Sequence, residues 1–560
     1  MVGFSSLLDA QADLVSSNQL ELVSEEISLF SDRELYIAGE TMWFSLAIKY
    51  RQIGSLSIAS KVAYVDLVGS TGVVMTRVKI EVISGKGSGS IDLSEDLTSG
   101  YYKLRSYTQA MRNFGPDAFE EQTIIVLNAD QPIVTTASDQ QHKNATQVKQ
   151  PSDVVASISM DKLAYSQRER VQLIIELKDK MGRPLSREVA LSVANGRSDV
   201  ELNHFSNKEV KLESNPNVVF LPEDVGMHLS GQLESNAAEQ PLSGIKVFLA
   251  FPGERAMVYS ALTNVDGMFR FVLPKLYGPK EIVLQVEPKY DDQVTILLDD
   301  EYYESPTTEE AVFKLPEVWL DVANASLENA SIRGAYDAFE EQVRYIEDST
   351  FYNIPFYGAY DKQYRLDDYT RFPLPEFYFE IVPEVRVQGK YGEEKLKVAN
   401  TWSLPNRESP PLLLVDGVPV FDQSKFLKIN NKLISTTQIV IEPFWLNTTI
   451  YDGIIEINSF ENDARSFDLP ESALRSGYLT LLPDRVFTSP DYGSNQGSNL
   501  PDFRNTLYWN PAVTTDAEGK AIIEFYTSDV VGDYTIRVQG KDESITAKAD
   551  YKLSVTKSAN

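Results

Sequence analysis

Short runs in which apolar and polar residues alternate recur along almost the whole chain, and Gly, Asn, Asp and Pro separate them. Examples lie at 123–127, 171–177 and 245–249. A period of two places every second side chain on one face of a sheet, as in a half-buried β-strand. The pattern therefore predicts a mainly β fold.

Three segments depart from this alternation. Residues 321–347 carry Ala and Leu at helical spacing with charged residues between them, which predicts the main helix within an acidic connector at 299–350. Residues 131–153 are polar and contain few large apolar side chains, so we expect a linker there. A second linker is expected at 471–503, whose later part is rich in Gly, Ser, Asn and Pro.

Composition narrows the classes of function. A chain of 560 residues has room for about three to five domains. A net charge of −29 repels phosphate backbones and anionic lipid headgroups, so nucleic acid is not an expected partner. The sequence has no Cys, which excludes disulfides, thiolate metal sites, cysteine nucleophiles and a lipid-anchor cysteine within it.

No signal for membrane insertion or export stands out in this sequence. No run reaches the ~18 apolar residues of a membrane helix, and residues 1–22, an N-terminal extension, lack the basic and apolar regions of a signal peptide. Two interpretations remain: a cytoplasmic protein, or an exported protein whose targeting segment has been removed. The domain resemblances described below favour removal.

The residues that carry most enzyme chemistry are sparse. The three histidines, His142, His204 and His228, show no metal-ligand spacing. The glycine-rich segment 85–90 lacks the Gly-Lys-Ser/Thr ending of a phosphate loop and has no helix pattern after it, so we interpret it as a flexible hairpin tip. We expect no catalytic residues, no bound metal and no cofactor.

Acidic pairs are the remaining candidates for ion binding. They lie at 291–292, 299–300 and 367–368, and carboxylate oxygens are the ligands that Ca²⁺ prefers. None has the spacing of a twelve-residue calcium loop, and charged pairs usually face water. We interpret them as solvated turns.

Two nine-residue segments, at 32–40 and 161–169, share the pattern Asp-basic-x-x-Tyr-x-x-x-Glu, and an apolar alternating run follows each. The first copy resembles the opening of macroglobulin-type β-sandwiches of the alpha-2-macroglobulin superfamily, where a Gly such as Gly39 makes a tight turn before the strand. The resemblance implies several β-sandwich domains in a row, with one at 23–130 and a second at 154–226. The sequence leaves open whether residues 131–226 form one complete sandwich or borrow strands from a neighbour.

Two further segments resemble β-sandwich modules. Residues 227–298 resemble the carboxypeptidase-regulatory or Cna-B type, which serves as a rigid spacer, and the pair Asp266-Gly267 predicts a hairpin turn. Residues 504–560 carry a Trp-x-Pro strand and an Asp-x-x-Gly-x-Ala turn, which resemble a late macroglobulin-family domain. Without Cys, the reactive thioester of that family is absent.

The segment 351–470 resembles the small α+β plug domain of TonB-dependent outer-membrane receptors. The similarity rests on motifs at 382–387, 411–420, 437–443 and 451–457, including a strand that ends in Val-Asp-Gly-Val-Pro. A receptor also needs a large barrel of many ~10-residue strands, and only about 100 residues follow position 460. The chain is therefore not expected to transport by itself.

Aromatic residues crowd 351–380, and two interpretations remain open: a binding surface, or the core that joins the predicted helix to the plug-like sheet. Together with the Val-Asp-Gly-Val-Pro turn, they supply the candidate interaction residues. These are Phe356, Tyr357, Tyr369, Phe372, Asp416, Gly417, Val418 and Pro419.

The resemblances imply a non-catalytic interaction component of a Gram-negative outer-membrane complex, on the periplasmic side or at the cell surface. Its expected partner is a membrane barrel protein that docks on the plug-like and sandwich domains, through exposed sheet edges near 411–420 and 451–457. The alternative is a surface glycan- or peptide-binding protein that feeds a TonB-dependent transporter. A hydrolase comes third and needs a cleft centred on His228 or on a carboxylate pair.

Overall fold

A computed structural model describes residues 24–136, 154–162, 164–197, 219–236, 242–253, 256–309, 312–336, 344–345, 355–390, 394–399, 409–494, 501–540 and 548–557. His142 and His204 lie outside the described residues. Among the residues described, no helix has both the length and the apolar character to cross a bilayer. The chain divides into two compact units. The first contains Met227–Glu301 and Asp348–Thr480; the second contains Glu21–Gly226, Tyr302–Glu347 and Leu481–Asn560.

The described elements are mainly strands. The early strands are β1 Glu25–Ser31, β2 Leu35–Ile37, β3 Thr41–Tyr50, β4 Val62–Val68, β5 Val74–Glu81, β6 Lys86–Asp92, β7 Gly100–Tyr107, β8 Glu120–Leu127, β9 Thr135–Thr136, β10 Val154–Met160, β11 Ala164–Ser166, β12 Arg170–Asp179 and β13 Glu188–Ala194. The middle strands are β14 Met227–Ser235, β15 Lys246–Phe251, β16 Met257–Leu262, β17 Met268–Leu273, β18 Pro279–Val286, β19 Val294–Leu298, β20 Leu315–Pro316, β21 Arg344–Tyr345, β22 Lys362–Arg365, β23 Val385–Gln388 and β24 Lys395–Val398. The late strands are β25 Leu412–Val415, β26 Val418–Pro419, β27 Ile434–Val440, β28 Phe444–Leu446, β29 Thr449–Tyr451, β30 Ile454–Ser459, β31 Leu474–Leu479, β32 Arg485–Val486, β33 Thr506–Thr514, β34 Lys520–Tyr526, β35 Gly532–Gly540 and β36 Lys548–Thr556. The helices are α1 Gln109–Arg112, α2 Leu320–Tyr336, α3 Leu374–Glu380 and α4 Gln423–Leu427.

The first sandwich packs the sheet β1-β3-β6 against the sheet β2-β8-β7-β4-β5. Every residue of β4 is buried, because a strap at 302–309 covers part of that sheet. The Tyr302 ring meets Tyr64 edge-on at 5.8 Å between centroids. Helix α2 begins at Leu320, one residue before the predicted start; Ala323 on the helix and Trp319 just before it pack against β2 and β8.

The second sandwich is discontinuous in sequence. Its sheets are β10-β12-β34 and β11-β36-β35-β13-β33, so the late strands complete what the early strands begin. The expected separate domains at 154–226 and 504–560 are thus one domain. The physical reason is that β12 buries alternate residues such as Leu173 and Ile175, and this face needs the apolar residues of the opposite sheet, including those of β33, β35 and β36, to cover it.

The two copies of the Asp-basic-x-x-Tyr-x-x-x-Glu pattern make the same hydrogen bonds. Tyr36 Oη donates to Asp32 Oδ1 at 2.8 Å, and Tyr165 Oη donates to Asp161 Oδ1 at 2.6 Å. In the first copy, the Glu40 carboxylate accepts from a backbone N–H three residues earlier, at 2.8 Å, and the second copy repeats this bond at 2.6 Å. The pattern therefore fixes the turn that opens each sandwich.

The first copy is buried where the two sandwiches of this unit meet. The Arg33 guanidinium pairs with Asp32 at 3.0 Å and with Glu40 at 2.7 Å, and all three side chains are nearly inaccessible. Phe30 stacks on Trp509 of the second sandwich at 5.5 Å between centroids. Removing one of these partners would leave an unpaired buried charge, which is costly.

In the other unit, a small sandwich packs the sheet β17-β14-β19 against β16-β15-β18-β31. Asp266-Gly267 forms a tight turn, with Gly267 at φ 77°. The strands on either side belong to opposite sheets, so the turn is not the predicted hairpin but a crossover between the layers. Strand β31 falls within the expected linker at 471–503 and pairs with β18; its Ser and Gly content hid it from the sequence pattern.

The same unit contains an α/β module, the mixed sheet β22-β27-β30-β25-β26. Helices α3 and α4 cover one face through residues such as Phe377 and Phe426. The other face packs on the small sandwich, where Leu412, Leu414 and Ile454 meet apolar residues of β15, β16 and β18. The sheet is thus the middle of three layers, and buried polar side chains on either face need hydrogen-bond partners within the protein.

Candidate functional site

Two cross-strand pairs of polar residues interrupt the face of the α/β sheet that packs on the small sandwich. Gln438 on β27 lies opposite Glu456 on β30, and Thr436 lies opposite Asn458 one step further along. Side chains two apart on a strand share a face, so these four residues continue the row that begins with Ile454. The row changes from apolar to polar where the sheet reaches a cavity.

Glu456 is the chemically unusual member of this row. Its side chain is 4% exposed. Burial raises its pKa from 4.5 to about 7, repulsion from Asp416 adds to this rise, and hydrogen bonds from the Tyr357 hydroxyl and the Gly417 N–H oppose it. A carboxyl with such a pKa changes charge near neutral pH.

The Tyr357 hydroxyl joins the two residues of one pair. Its oxygen donates to Gln438 Oε1 at 2.7 Å and also contacts the Glu456 carboxyl. A phenol has one proton to donate, so both contacts are hydrogen bonds when the Glu456 carboxyl carries a proton of its own. Burial and the nearby Glu456 carboxylate also raise the Tyr357 pKa, which keeps the phenol protonated.

Asp416, the second carboxyl in this region, is fully buried and holds the backbone in place. It accepts hydrogen bonds from the Ser459 N–H at 2.6 Å, the Ser459 hydroxyl at 2.7 Å and the Ala464 N–H at 2.9 Å. Asp416 and Gly417 have φ of 48° and 83°, and they form the predicted tight turn between β25 and β26. This turn therefore ties β25 to the segment that follows β30.

Gly417 is required by space as well as by conformation. A Cβ at this position would lie 1.9 Å from the Cβ of Ala256. Residues 411–420 are buried throughout, so this stretch is not the exposed sheet edge that the sequence led us to expect. Val418 and Pro419 are likewise buried, and Gln285 donates to the Pro419 carbonyl at 3.1 Å.

The aromatic candidates divide between core and surface. Phe356 packs into the apolar layer between the sheets, and its ring meets Phe444 edge-on at 5.7 Å. Phe372 packs on the helix-covered side, whereas Tyr369 is 38% exposed. Tyr357 alone among these four aromatics lines the cavity. Two of them are therefore core residues of the α/β module, whereas the predicted helix, α2, packs on β2 and β8.

The cavity has a volume of about 260 Å³. Its walls combine backbone, hydroxyl, amide, aromatic and carboxyl groups. They come from Gly253, Ala256, Pro355, Tyr357, Ser435, Thr436, Gln438, Glu456, Asn458, Ser459, Phe460 and Asn462. Glu456 is the one carboxyl among these lining residues, and none of them is a His, so the carboxylate pair or His228 centre that a hydrolase needs does not occur in this cavity.

The other sequence candidates have structural explanations. His228 lies half-buried on β14. At the glycine-rich segment, Ser84 and Gly85 make the turn with φ of 50° and 78°, and residues 86–90 belong to strand β6. Asp291 accepts hydrogen bonds from Ser472. Across the described part of the chain, no three acidic or His side chains converge as a metal site.

Sequence reasoning missed Gln438, Glu456, Asn458 and Phe460 as site residues. One signal was available: Glu456 interrupts the apolar run Ile454–Ile457, and a charge inside a central strand calls for a partner. Which residue is that partner depends on the register of β27 against β30, which a local pattern does not contain.

Comparisons with known proteins add the following. No protein-family profile matches the chain, and a search of curated proteins returned no match. The chain is similar at low identity to two bacterial alpha-2-macroglobulins. The Escherichia coli protein in its native conformation is 9% identical with a TM-score of 0.25, and the match covers 96% of this chain and 40% of that one. The Salmonella protein reacted with methylamine is 10% identical with a TM-score of 0.25, and the match covers 95% of this chain and 40% of that one. The chain is also similar to the Escherichia coli adhesin FdeC, with 12% identity and a TM-score of 0.15; this match covers 47% of the chain and 60% of the adhesin.

The chain spans about 40% of the length of those macroglobulins. TM-scores this low carry no argument about the cavity or about function. The mainly β architecture follows from the strand order itself.

Proposed function

We propose that this chain is a non-catalytic interaction component of a complex at the outer membrane of a Gram-negative cell. In this proposal the sandwiches act as rigid arms, the module at 227–298 as a spacer of the carboxypeptidase-regulatory or Cna-B type, and the α/β module as the docking part for a barrel protein. The motif resemblance to macroglobulin domains and to the TonB receptor plug supports it.

The observation that carries the proposal is the open edge of the α/β sheet. Strand β22, Lys362–Arg365, is the terminal strand of the order β22-β27-β30-β25-β26, and no described strand pairs with its outer side. Its side chains are largely exposed. A partner strand can add to such an edge through backbone hydrogen bonds. The opposite edge is excluded, because β26 is buried.

The absence of Cys makes a site-specific test direct. An Arg365→Cys variant of the full-length protein, expressed with its natural targeting, receives a photo-crosslinker on the introduced thiol within intact envelopes. The matched control is Gln172→Cys, which is exposed on β12, a strand paired on both sides. We expect a stoichiometric adduct with one outer-membrane barrel protein from position 365 alone. Equal adducts from both positions, or none, would refute docking at β22.

A second candidate function, a surface binder of glycan or peptide, is favoured by the cavity beside Glu456. The cavity combines an exposed aromatic ring, Phe460, with amide and hydroxyl groups on a paired sheet, and such groups can fix the orientation of a polar ligand. Titration calorimetry of the full chain against neutral oligosaccharides and short peptides tests it. Saturable binding of either class supports this function, and no heat from any of them refutes it.

A further inference from the structure

The cavity presents hydrogen-bonding groups of both kinds at fixed spacing. Thr436 and Asn458 form one cross-strand pair, Gln438 and Glu456 the next, and both pairs project from the same face of the sheet. Asn458 donates to Thr436 at 3.2 Å. An amide has two donors and two acceptor positions, so this bond uses one of four. The remaining capacity suits a ligand that both donates and accepts, as hydroxyl groups do.

Apolar groups form one part of the cavity wall, which we call the rim. Phe460 lies directly after β30 and is 51% exposed, although phenylalanine is usually buried. Pro355 and the ring of Tyr357 also line the cavity. A sugar ring has an apolar face of C–H groups and an edge of hydroxyls, so it can contact the rim with one and the polar floor with the other.

The charge of the cavity argues against ionic ligands. None of the lining residues is Lys or Arg, and the Arg371 guanidinium that lies 6.0 Å from the Phe460 ring centroid is already paired with Asp367, so a carboxylate or phosphate would find little free counter-charge there. The single carboxyl, Glu456, is largely protonated at pH 6, because burial raises its pKa to about 7, and it then gives an amine little attraction. The described groups that act on it are Tyr357, Asp416 and the Gly417 N–H. An uncharged ligand suits this environment best.

The position and size of the cavity separate a sugar from an extended peptide. Its floor is the face of strands β27 and β30, which are paired on both sides, so a peptide cannot add there as a new strand. Its volume of about 260 Å³ lies just below the range of ligand pockets for drug-sized molecules, which is roughly 300–1,000 Å³. It has room for one ring with its substituents.

Resting on the second candidate function, we propose that the cavity between Tyr357, Gln438, Asn458 and Phe460 binds a sugar ring of an uncharged glycan. Phe460 and Pro355 contact the apolar face of the ring, and the two polar pairs bond its hydroxyls. Glu456, whose proton is donated to the Tyr357 oxygen, contributes as an uncharged acceptor.

The test is calorimetric titration of the full chain at pH 6 with maltoheptaose, cellohexaose, xylohexaose, laminarihexaose and chitohexaose, beside trialanine and trilysine. Two variants probe the cavity: Phe460→Ala, at a half-exposed side chain, and Asn458→Asp, which keeps the size of the side chain. Phe379→Ala is the control, because Phe379 is 71% exposed on α3 in the same module. Loss of one good hydrogen bond or ring contact weakens affinity by about tenfold.

We expect at least one neutral oligosaccharide to bind saturably, with each cavity variant weaker by about tenfold and the control unchanged. Sugar binding that both cavity variants leave intact would place the site elsewhere and overturn the assignment. Binding of a peptide without any sugar would overturn the glycan class while the binding function stands. If no probe binds, the glycan assignment and the second candidate function fail together.

Discussion

Replacing Glu456 with Gln removes an ionisable proton from a buried carboxyl while keeping its size. In the folded protein burial raises the pKa of Glu456 from 4.5 to about 7. Below pH 4.5 the carboxyl is protonated in both the folded and the unfolded chain, so ionisation costs nothing. Between these two values the folded protein keeps a proton that the unfolded chain releases, so stability falls as pH rises and levels off above the folded pKa.

The size of this effect follows from the two pKa values. One pH unit corresponds to about 1.4 kcal/mol, so a rise from 4.5 to about 7 gives about 3 kcal/mol. The Gln side chain cannot ionise. We therefore expect the Glu456→Gln variant to gain about 3 kcal/mol relative to the unmodified protein between pH 4 and pH 8.5.

The assay must isolate the α/β module, because a chain of several domains does not unfold in one step. Urea unfolding at pH values from 4 to 8.5, monitored by hydrogen exchange of peptides from β27 and β30, provides that isolation. Glu442→Gln is the control, since Glu442 is exposed in the same module. If the Glu456→Gln and unmodified curves stay parallel over this pH range, the carboxyl is not held protonated and the reasoning fails.

Three further predictions concern the fold. Gly417→Ala should destabilise the α/β module by several kcal/mol, because the added Cβ clashes with Ala256. Gly244→Ala, also at positive φ but in open space, should cost about 1–2 kcal/mol. Thermal unfolding distinguishes the two variants, and equal losses of stability would refute the clash. Arg33→Met should cost about 3–5 kcal/mol by leaving buried carboxylates unpaired, while Lys162→Met at the exposed second copy should change nothing measurable in urea titrations. Deleting residues 501–560 removes the four strands β33 to β36, so limited proteolysis should cut β10 to β13 readily, and continued protection would refute the discontinuous sandwich.

Features that a few neighbouring residues determine could be predicted from the sequence. The mainly β architecture is confirmed, and the repeat at 32–40 and 161–169 opens two sandwiches because its Asp, Tyr and Glu bond to one another within nine residues. The Asp416-Gly417 turn is also confirmed, since positive φ at two successive residues favours this dipeptide.

Features that depend on distant pairing could not be predicted in this way. The second sandwich joins β13 to β33 across the rest of the chain, and no local pattern records that partner. The cavity exists because Gln438 and Asn458 meet their neighbours in one register, and a shift of one residue would turn them to the other face. The site therefore depends on strand register, which the sequence pattern does not show.

The discontinuous sandwich has a consequence for synthesis. Strand β13 ends at residue 194 and β33 begins at residue 506, so roughly 310 residues must be made before the early strands meet their partners. At about 5–20 residues per second, the apolar face of β12 waits roughly 15 to 60 seconds without its cover. During that interval the uncovered face can pair with the wrong strands, so a chaperone that binds the nascent chain would protect it most at this stage.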